Sequence, residues 1–136
     1  MILVAPKSWQ VEWATLSTSD LQHYPWVFMS EGCSCYVASQ KWAHANRIEL
    51  KAQIRECPND LTTLSYVASG IGLSVIAQHA LEISPYRESV EILPHFSESV
   101  QLSVAYHRDG SPLMDAVVEN IRQIWGKGPH AVVYAQ

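Results

Sequence analysis

Apolar positions along the chain form either short continuous runs or stretches with helical spacing. Residues 57–77 show both patterns in succession. Asn59 or Asp60 can cap a helix, and Gly70 can end it in the left-handed conformation. The expected buried face of this helix consists of Leu61, Leu64, Val67 and Ala68. Residues 73–77 are almost wholly apolar, as in a strand covered on both faces of a parallel sheet. The pattern therefore predicts a strand–helix–strand unit.

The same reasoning predicts further strands before and after this unit. They are expected at residues 2–5, 26–29, 50–57, 90–93 and 100–106. In the third of these, Ala52, Ile54 and Glu56 alternate with Gln53 and Arg55. Pro94 is expected to end the fourth strand. The tail from residue 130 to 136 is too short to assign.

Helices are expected between these strands. A short helix at residues 20–23 has Thr18 or Ser19 as its cap, and another spans residues 78–83. Ser34 is the predicted cap of a longer helix whose buried face comprises Cys35, Ala38, Trp42 and Ala45. Ser111 and Pro112 begin the last helix, which carries an apolar stripe formed by Leu113, Val117, Ile121 and Ile124. The order of elements predicts an α/β fold with a mainly parallel sheet.

Composition narrows the functional class. The chain has 136 residues and a net charge of -4, and its nine basic residues are scattered, which argues against nucleic-acid binding by this chain. Its apolar runs are far shorter than a membrane span, and residues 1–6 lack the features of a secretion signal. Three cysteines, an odd number, indicate a reducing compartment. These features predict a cytoplasmic protein with no membrane contact.

Several segments resemble the second half of the effector-binding domain of LysR-type transcriptional regulators. They are LVAP at 3–6, LSTSDL at 16–21, YPWVF at 24–28, EGCS at 31–34, DLTTLSYVASGIGLSVI at 60–76 and LSVAYHR at 102–108. The most specific is VASGIGLSV at residues 67–75. The resemblance extends from residue 2 to about residue 125.

The resemblance implies a Rossmann-like three-layer sandwich lobe of a periplasmic-binding-protein-like (type 2) fold. Residues 1–127 would be a partial effector-binding domain, with crossing strands at 2–6 and 100–107 and the second subdomain at 7–99. Residues 112–125 would be the C-terminal helix of the first subdomain, and residues 128–136 a tail without a counterpart. The DNA-binding domain of such a regulator is expected to be absent from this chain.

The implied function is ligand sensing in a regulator that controls transcription in response to a small molecule. No enzymatic activity, catalytic residue or cofactor is expected, and DNA would be contacted only through the absent domain. The stripe on the last helix would be left uncovered, so a homo-oligomer, most simply a dimer, is expected. Two alternatives remain open: a solute-binding domain of a transport system and a thiol-based redox sensor. A small enzyme with Cys33 or Cys35 as nucleophile is a third.

Two loops, at residues 32–35 and 58–60, are expected to meet at one edge of the sheet. Each precedes a helix, where free N–H groups and the helix dipole favour an anion. The predicted ligand-binding residues are Gly32, Cys33, Ser34, Asn59 and Asp60, and the predicted ligand is a small carboxylate or another anion. Ser34 and Asn59 would serve equally well as simple helix caps, and the two roles are compatible.

Cys33, Cys35 and Cys57 would converge if their strands are neighbours. A Cys-x-Cys pair at a helix start is compatible with a redox switch or a soft-metal site. Small buried thiols are the favoured interpretation, because free cysteine is commonly a core residue. The spacing matches no standard zinc pattern, and no metal site is predicted.

Overall fold

The computed structural model describes residues 1–100, 103–106, 111–125 and 132–135. The chain divides into two compact units, Met1–Glu98 and Ser99–Gln136. In the first unit the strands are β1 (Ile2–Pro6), β2 (Pro25–Met29), β3 (Lys51–Cys57), β4 (Ser74–Ile76) and β5 (Val90–Ser97). Its α-helices are α1 (Ser34–Asn46), α2 (Asp60–Ala68) and α3 (Gln78–Glu82). Short 3-10 helices occupy Lys7–Trp9, Trp13–Thr15, Thr18–His23 and Arg87–Ser89.

Parallel and antiparallel pairing both occur in the first unit. β2 runs parallel to β3, and a parallel bridge joins Trp26 to Leu73, the residue just before β4. The Val27 N–H donates to the Leu73 carbonyl at 2.8 Å, which ties β2 to this segment. β1 runs antiparallel to both β4 and β5. The carboxyl ends of β2, β3 and β4 therefore lie at one edge, and a helix follows each of them.

Strand β1 is buried along its whole length because helices cover both of its faces. Leu3 and Ala5 pack in one apolar cluster, which also contains Cys35 and Ala38 of α1. Ile2 and Val4 pack in a second cluster, with Leu64 and Val67 of α2 and Leu81 of α3. Alternate side chains of a strand point to opposite faces, so a continuous apolar run is required here. The expected three-layer arrangement follows from this pattern.

Helix α1 begins at Ser34 and not after it. Its cap is Cys33, whose side chain makes no capping hydrogen bond, so the prediction of Ser34 as the cap is wrong. Cys35 and Ala38 are buried as expected, whereas Ala45 is exposed and Ser39 and Ala43 are buried instead. Trp42 reaches the core with its ring, which lies 6.0 Å from that of Trp26. The buried face thus follows the usual spacing of three and four residues from Cys35.

Helix α2 has the predicted cap but a different buried face. The Thr62 N–H donates to Asn59 Oδ1 at 2.9 Å, and Gly70 adopts a positive φ of 82° just after the helix. Leu61 is 54% exposed, contrary to its predicted core position, and Thr63 is fully buried. The Thr63 hydroxyl donates to the Asn59 carbonyl at 2.9 Å. Because its polar group is satisfied locally, Thr63 can present its methyl group to the core.

Two strands depart from the expected pattern at irregularities. The alternation in β3 ends at Glu56, which is exposed and has a φ of 65°. β5 continues through Pro94, which was expected to end it. Ile2 pairs with Ser97 while Leu3 pairs with Leu93, so residues 94–96 form a bulge. A bulged position needs no ladder N–H, which is why proline is accommodated there.

The helix at Thr18–His23 is capped by Ser17, one residue before the predicted caps. The backbone N–H and the hydroxyl of Ser17 both donate to Asp20 Oδ2, at 2.8 and 2.7 Å. These hydrogen bonds lower the pKa of the Asp20 carboxyl. The predicted helix at residues 78–83 corresponds to α3.

The second unit contains a parallel strand pair and one long helix. β6 (Ser103–Tyr106) pairs with β7 (Val132–Ala135), a strand in the segment that sequence patterns left unassigned. α4 (Pro112–Trp125) has proline at its first position, as predicted, and the Met114 N–H donates to Ser111 Oγ at 3.5 Å. Residues 107–110 and 126–131, which flank α4 in the sequence, lie outside the described residues. No helix of the described part is long and apolar enough to span a membrane.

Candidate functional site

The two predicted loops lie next to each other at the carboxyl edge of β2 and β3. Met29, the last residue of β2, is paired in register with Cys57, the last residue of β3. The chain then enters α1 from the first strand and α2 from the second. Two helix starts therefore share one edge, where ligands of open α/β sheets bind.

The start of α1 offers backbone donors without a side-chain cap. The Cys33 N–H donates to the Ser30 carbonyl at 2.8 Å, and the Cys33 carbonyl accepts the Val37 N–H at 3.0 Å. Gly32 and Ser34 are exposed, and the space around Gly32 is open. The first N–H groups of a helix have no partner within the helix and bear partial positive charge. This helix start is therefore suited to an anion.

At the start of α2, a free backbone N–H group already has a side-chain partner from the same segment. The side chain of Asn59 caps the helix, as described above, and Asn59 remains exposed. Asp60 Oδ1 accepts the N–H of Ala77 at 3.3 Å. Asp60 therefore links the start of α2 to the end of β4.

A cavity of about 400 Å³ lies beside α2 and α3. Asn59 and Asp60 line it together with Leu61, Ile83 and Pro85, whereas Gly32, Cys33 and Ser34 are not among its lining residues. The five predicted ligand-binding residues thus share a sheet edge but not this cavity.

The cysteines are free thiols in two different settings. Cys33 is half-buried, and its Sγ lies 3.8 Å from Met29 Sδ. Burial raises the pKa of the Cys35 thiol to about 12, with smaller contributions from Cys33 and from the Asp60 carboxylate. Burial also raises the pKa of Cys57, against a hydrogen bond with Thr63 that lowers it. Cys35 and Cys57 are buried, as the preferred interpretation of the sequence predicted. Across the described chain, no three side chains among His, Cys, Asp and Glu converge in a manner suited to a metal ion.

Comparison with protein families decides which family this architecture represents. The family model described as LysR substrate binding domain matches residues 1–126. The chain belongs to this family. The resemblance stated from the sequence motifs is thereby confirmed, and so is the α/β lobe of a periplasmic-binding-protein-like fold.

A solved structure agrees with this assignment of the LysR substrate-binding fold. The regulatory domain of CcmR from Synechocystis PCC6803, in complex with 2-PG, matches with a TM-score of 0.68 and 17% sequence identity. The match covers 93% of this chain and 62% of the CcmR chain. Curated protein sequences yield no match.

Two contacts at the edge of this LysR-family lobe were not evident from the sequence. One is the hydrogen bond between Asp60 and the Ala77 N–H, and the other is the approach of Met29 to Cys33. The first joins helix α2 to a strand that follows it. The second depends on the turn closed by the Ser30 carbonyl. A Met-x-x-x-Cys spacing across the end of a strand was the available signal, and it is a weak one.

Proposed function

We propose that the chain is the ligand-sensing portion of a LysR-type transcriptional regulator. Membership of the LysR substrate binding domain family supports this role, and the CcmR regulatory domain, which has a similar fold, is in complex with 2-PG. The proposed activity is recognition of a small molecule, with no chemical conversion. DNA contact is assigned to a separate domain of the regulator. Ligand binding would favour one arrangement of the assembly over another, which is how a sensor domain changes activity elsewhere.

The proposed ligand is a small carboxylate or another small anion, bound where α1 and α2 begin. The observation that carries this proposal is the pair of helix starts at one sheet edge, one of which has no side-chain cap. Gly32, Cys33 and Ser34 would provide the open, donor-rich side of the site, and Asn59 would provide its amide group. Asp60 would act through its bond to Ala77 and not by touching an anion, because two negative charges repel.

An NMR titration of the chain with sodium acetate and with phosphate tests this site. Backbone amide shifts are expected to change at residues 34–36 and 60–62, with a dissociation constant on the order of millimolar, equivalent to about 4 kcal/mol. The low affinity is expected because the chain matches only part of a larger regulatory domain.

A pair of substitutions at Ser34 separates its backbone N–H from its hydroxyl. Ser34→Pro removes the N–H at the first helical position, where proline is well tolerated. The preceding residue, Cys33, already has the extended conformation that proline requires, with φ of -76° and ψ of 140°. Ser34→Ala, the control, retains the N–H. Weaker anion binding in the proline variant alone supports the site, and equal binding by all three proteins contradicts it.

A further inference from the structure

A second cavity, of about 350 Å³, lies between helix α1 and strand β3. Phe28 of β2 borders it, and the other lining residues come from α1, from β3 and from the segment that joins them. None of the residues predicted to bind an anion lines this cavity. Its volume is in the lower part of the range for small-molecule sites, about 300–1,000 Å³. A compact ligand, such as one ring with two substituents, would fit.

Two irregularities in β3 determine which side chains reach this cavity. The first occurs where adjacent residues of β2 pair with Ala52 and Ile54, so that Gln53 is extra. The second lies between Ile54 and Cys57. Because side chains of a strand alternate between faces, the extra residue at 53 moves Arg55 to the face that Ala52 occupies. Arg55 therefore borders the cavity beside α1.

Helix α1 contributes side chains that are spaced four residues apart. Tyr36, Gln40 and His44 have this spacing, so they share one face of the helix, and all three line the cavity. The ring of Tyr36 meets that of Phe28 edge to face, with 5.6 Å between the ring centres. The two rings form an apolar surface, and the Gln40 amide can both donate and accept hydrogen bonds. The cavity can therefore hold a flat apolar body next to polar groups.

Two charged side chains of opposite sign border the cavity without pairing with each other. Arg55 and Glu49 are both exposed, and neither forms a salt bridge within the part of the chain that the structure describes. Helix α1 connects two parallel strands, so it runs antiparallel to β3. Arg55, late in β3, is therefore towards the start of α1, whereas Glu49, just before β3, is towards its end. The cavity has a positive end and a negative end.

The polarity of helix α1 agrees with this arrangement. The first N–H groups of a helix bear partial positive charge, and its last carbonyl groups bear partial negative charge. An anionic group is thus favoured at the Arg55 end by the side chain and by the helix. A cationic group is favoured at the Glu49 end for the same two reasons.

We propose that this cavity binds a small zwitterion whose carboxylate and ammonium groups are separated by an apolar body, as in an ω-amino acid. The Arg55 guanidinium binds the carboxylate, for which its planar fork of donors is suited. Glu49 binds the ammonium group, and the apolar body lies against Phe28 and Tyr36. An α-amino acid is not the proposed ligand, because its two charged groups share one carbon atom and cannot reach both ends of the cavity.

This inference goes beyond the proposed effector role and does not depend on it. The zwitterion site uses side chains of α1, β3 and the segment between them, whereas the anion site uses backbone N–H groups at the starts of α1 and α2. The location of the NMR shifts separates the two sites. A failed titration with acetate and phosphate leaves the zwitterion site intact, and a failed titration with a zwitterion leaves the anion site intact.

An NMR titration of the 136-residue chain with 4-(aminomethyl)benzoate tests the zwitterion site. Backbone amide shifts are expected to change at residues 40–44 and 48–55, with a dissociation constant on the order of millimolar. Benzoate and benzylamine each carry one of the two charges, and each should bind at least about tenfold more weakly, the usual effect of losing a hydrogen bond to a charged group. Equal affinity for the three compounds, or no change at these residues, overturns the proposal.

Arg55→Gln and Glu49→Gln remove the two charges one at a time. Arg55→Gln should weaken binding of 4-(aminomethyl)benzoate about tenfold and leave binding of benzylamine unchanged. Glu49→Gln should have the same effect on the zwitterion and leave binding of benzoate unchanged. Lys51→Gln is the matched control for Arg55→Gln, because Lys51 is an exposed cation of β3 that does not line the cavity.

Both lining residues are exposed, so their variants should fold, which the dispersion of the amide spectrum verifies. The comparison of the three compounds uses the wild-type protein alone and does not depend on any variant. Wild-type affinity in Arg55→Gln, or an equal loss in Lys51→Gln, would show that only the general surface charge attracts the ligand and would overturn the proposal.

Discussion

Gly72 illustrates how a single residue limits what this fold tolerates. A Cβ atom at this position would lie 2.7 Å from the carbonyl oxygen of Pro25 and 3.2 Å from the amide nitrogen of Trp26. Both atoms belong to the backbone of β2, and the Pro25 oxygen also accepts the Leu73 N–H at 2.9 Å. The strand cannot move away without loss of that hydrogen bond. Residue 72 must therefore be glycine to allow this close approach.

Gly72→Ala is expected to lower the free energy of unfolding by about 1–3 kcal/mol, the usual cost of overpacking a buried position. Urea denaturation monitored by circular dichroism measures this change. Gly32→Ala is the matched control, since nothing lies within 4 Å of the added methyl group. Its effect should stay within about 0.5 kcal/mol. Equal destabilisation by the two substitutions would contradict the steric explanation.

The buried thiol of Cys35 predicts a loss of stability in alkaline solution. Its pKa is about 12 in the folded chain, against 9.0 for an unperturbed thiol, because burial disfavours the thiolate. The folded state therefore holds a proton that the unfolded state releases above about pH 9. The stabilising contribution of the neutral thiol is complete below that pH and is lost as the pH rises towards about 12.

Urea denaturation of wild type and Cys35→Ala from pH 7 to about pH 10.5 isolates this contribution, because the groups that titrate elsewhere are common to both proteins. The difference in unfolding free energy should be constant up to about pH 9 and should shrink above it. A difference that stays constant over the whole range would show that Cys35 titrates normally in the folded chain.

At the scale of elements, helix α2 depends on the cap that its sequence supplies. Asn59→Ala removes the acceptor of the Thr62 N–H and is expected to cost about 1 kcal/mol of stability. Asn46→Ala, near the end of α1, is the matched control. Asn46 donates to the Trp42 carbonyl at an exposed position, so its replacement should change stability by less than about 0.5 kcal/mol. Thermal or urea denaturation of the two variants compares them directly, and equal losses would argue against a capping role.

Local sequence signals predicted the helix caps well. Features that depend on contacts between residues far apart in the sequence were predicted less well. The cap at Asn59 and the proline that begins α4 were predictable because both depend only on residues within one helical turn. Strand β7 was missed, since four residues gain strand character only from a partner far back in the chain. The buried side of α2 was misassigned at Leu61 because hydrophobicity alone does not reveal that Thr63 is satisfied by its own backbone.

The sequence predicted which two loops meet at the candidate site, but not the side-chain contacts within it. Parallel strands bring their carboxyl ends together, so the proximity of residues 32–35 and 58–60 followed from the order of elements. The contact between Met29 and Cys33 did not follow, because it depends on a turn whose geometry the residue types do not specify.

For the whole molecule, the apolar stripe of α4 predicts self-association. Leu113, Val117 and Ile124 on this helix are exposed, and exposed apolar patches commonly mark an interface. We expect a dimer in solution whose interface includes α4. Such an interface would bring two copies of the sensing chain into one assembly.

Light scattering and sedimentation measure the predicted dimer. Ile124→Lys places a charge in the stripe and should shift the protein towards monomer. Ile83→Lys is the matched control, since Ile83 and Ile124 are both 72% exposed and Ile83 lies on the other unit. A wild-type protein that remains a monodisperse monomer would contradict the prediction.

The bulge around Pro94 has a consequence for solubility. Within the described residues, β5 lies at one end of the sheet order β4–β1–β5. An uninterrupted outer strand of eight residues offers a template for pairing with another chain. Pro94 lacks an N–H, and the bulge twists the strand at its centre. Pro94, which sequence patterns would assign to the end of a strand, is therefore expected to hinder edge-to-edge aggregation of the chain.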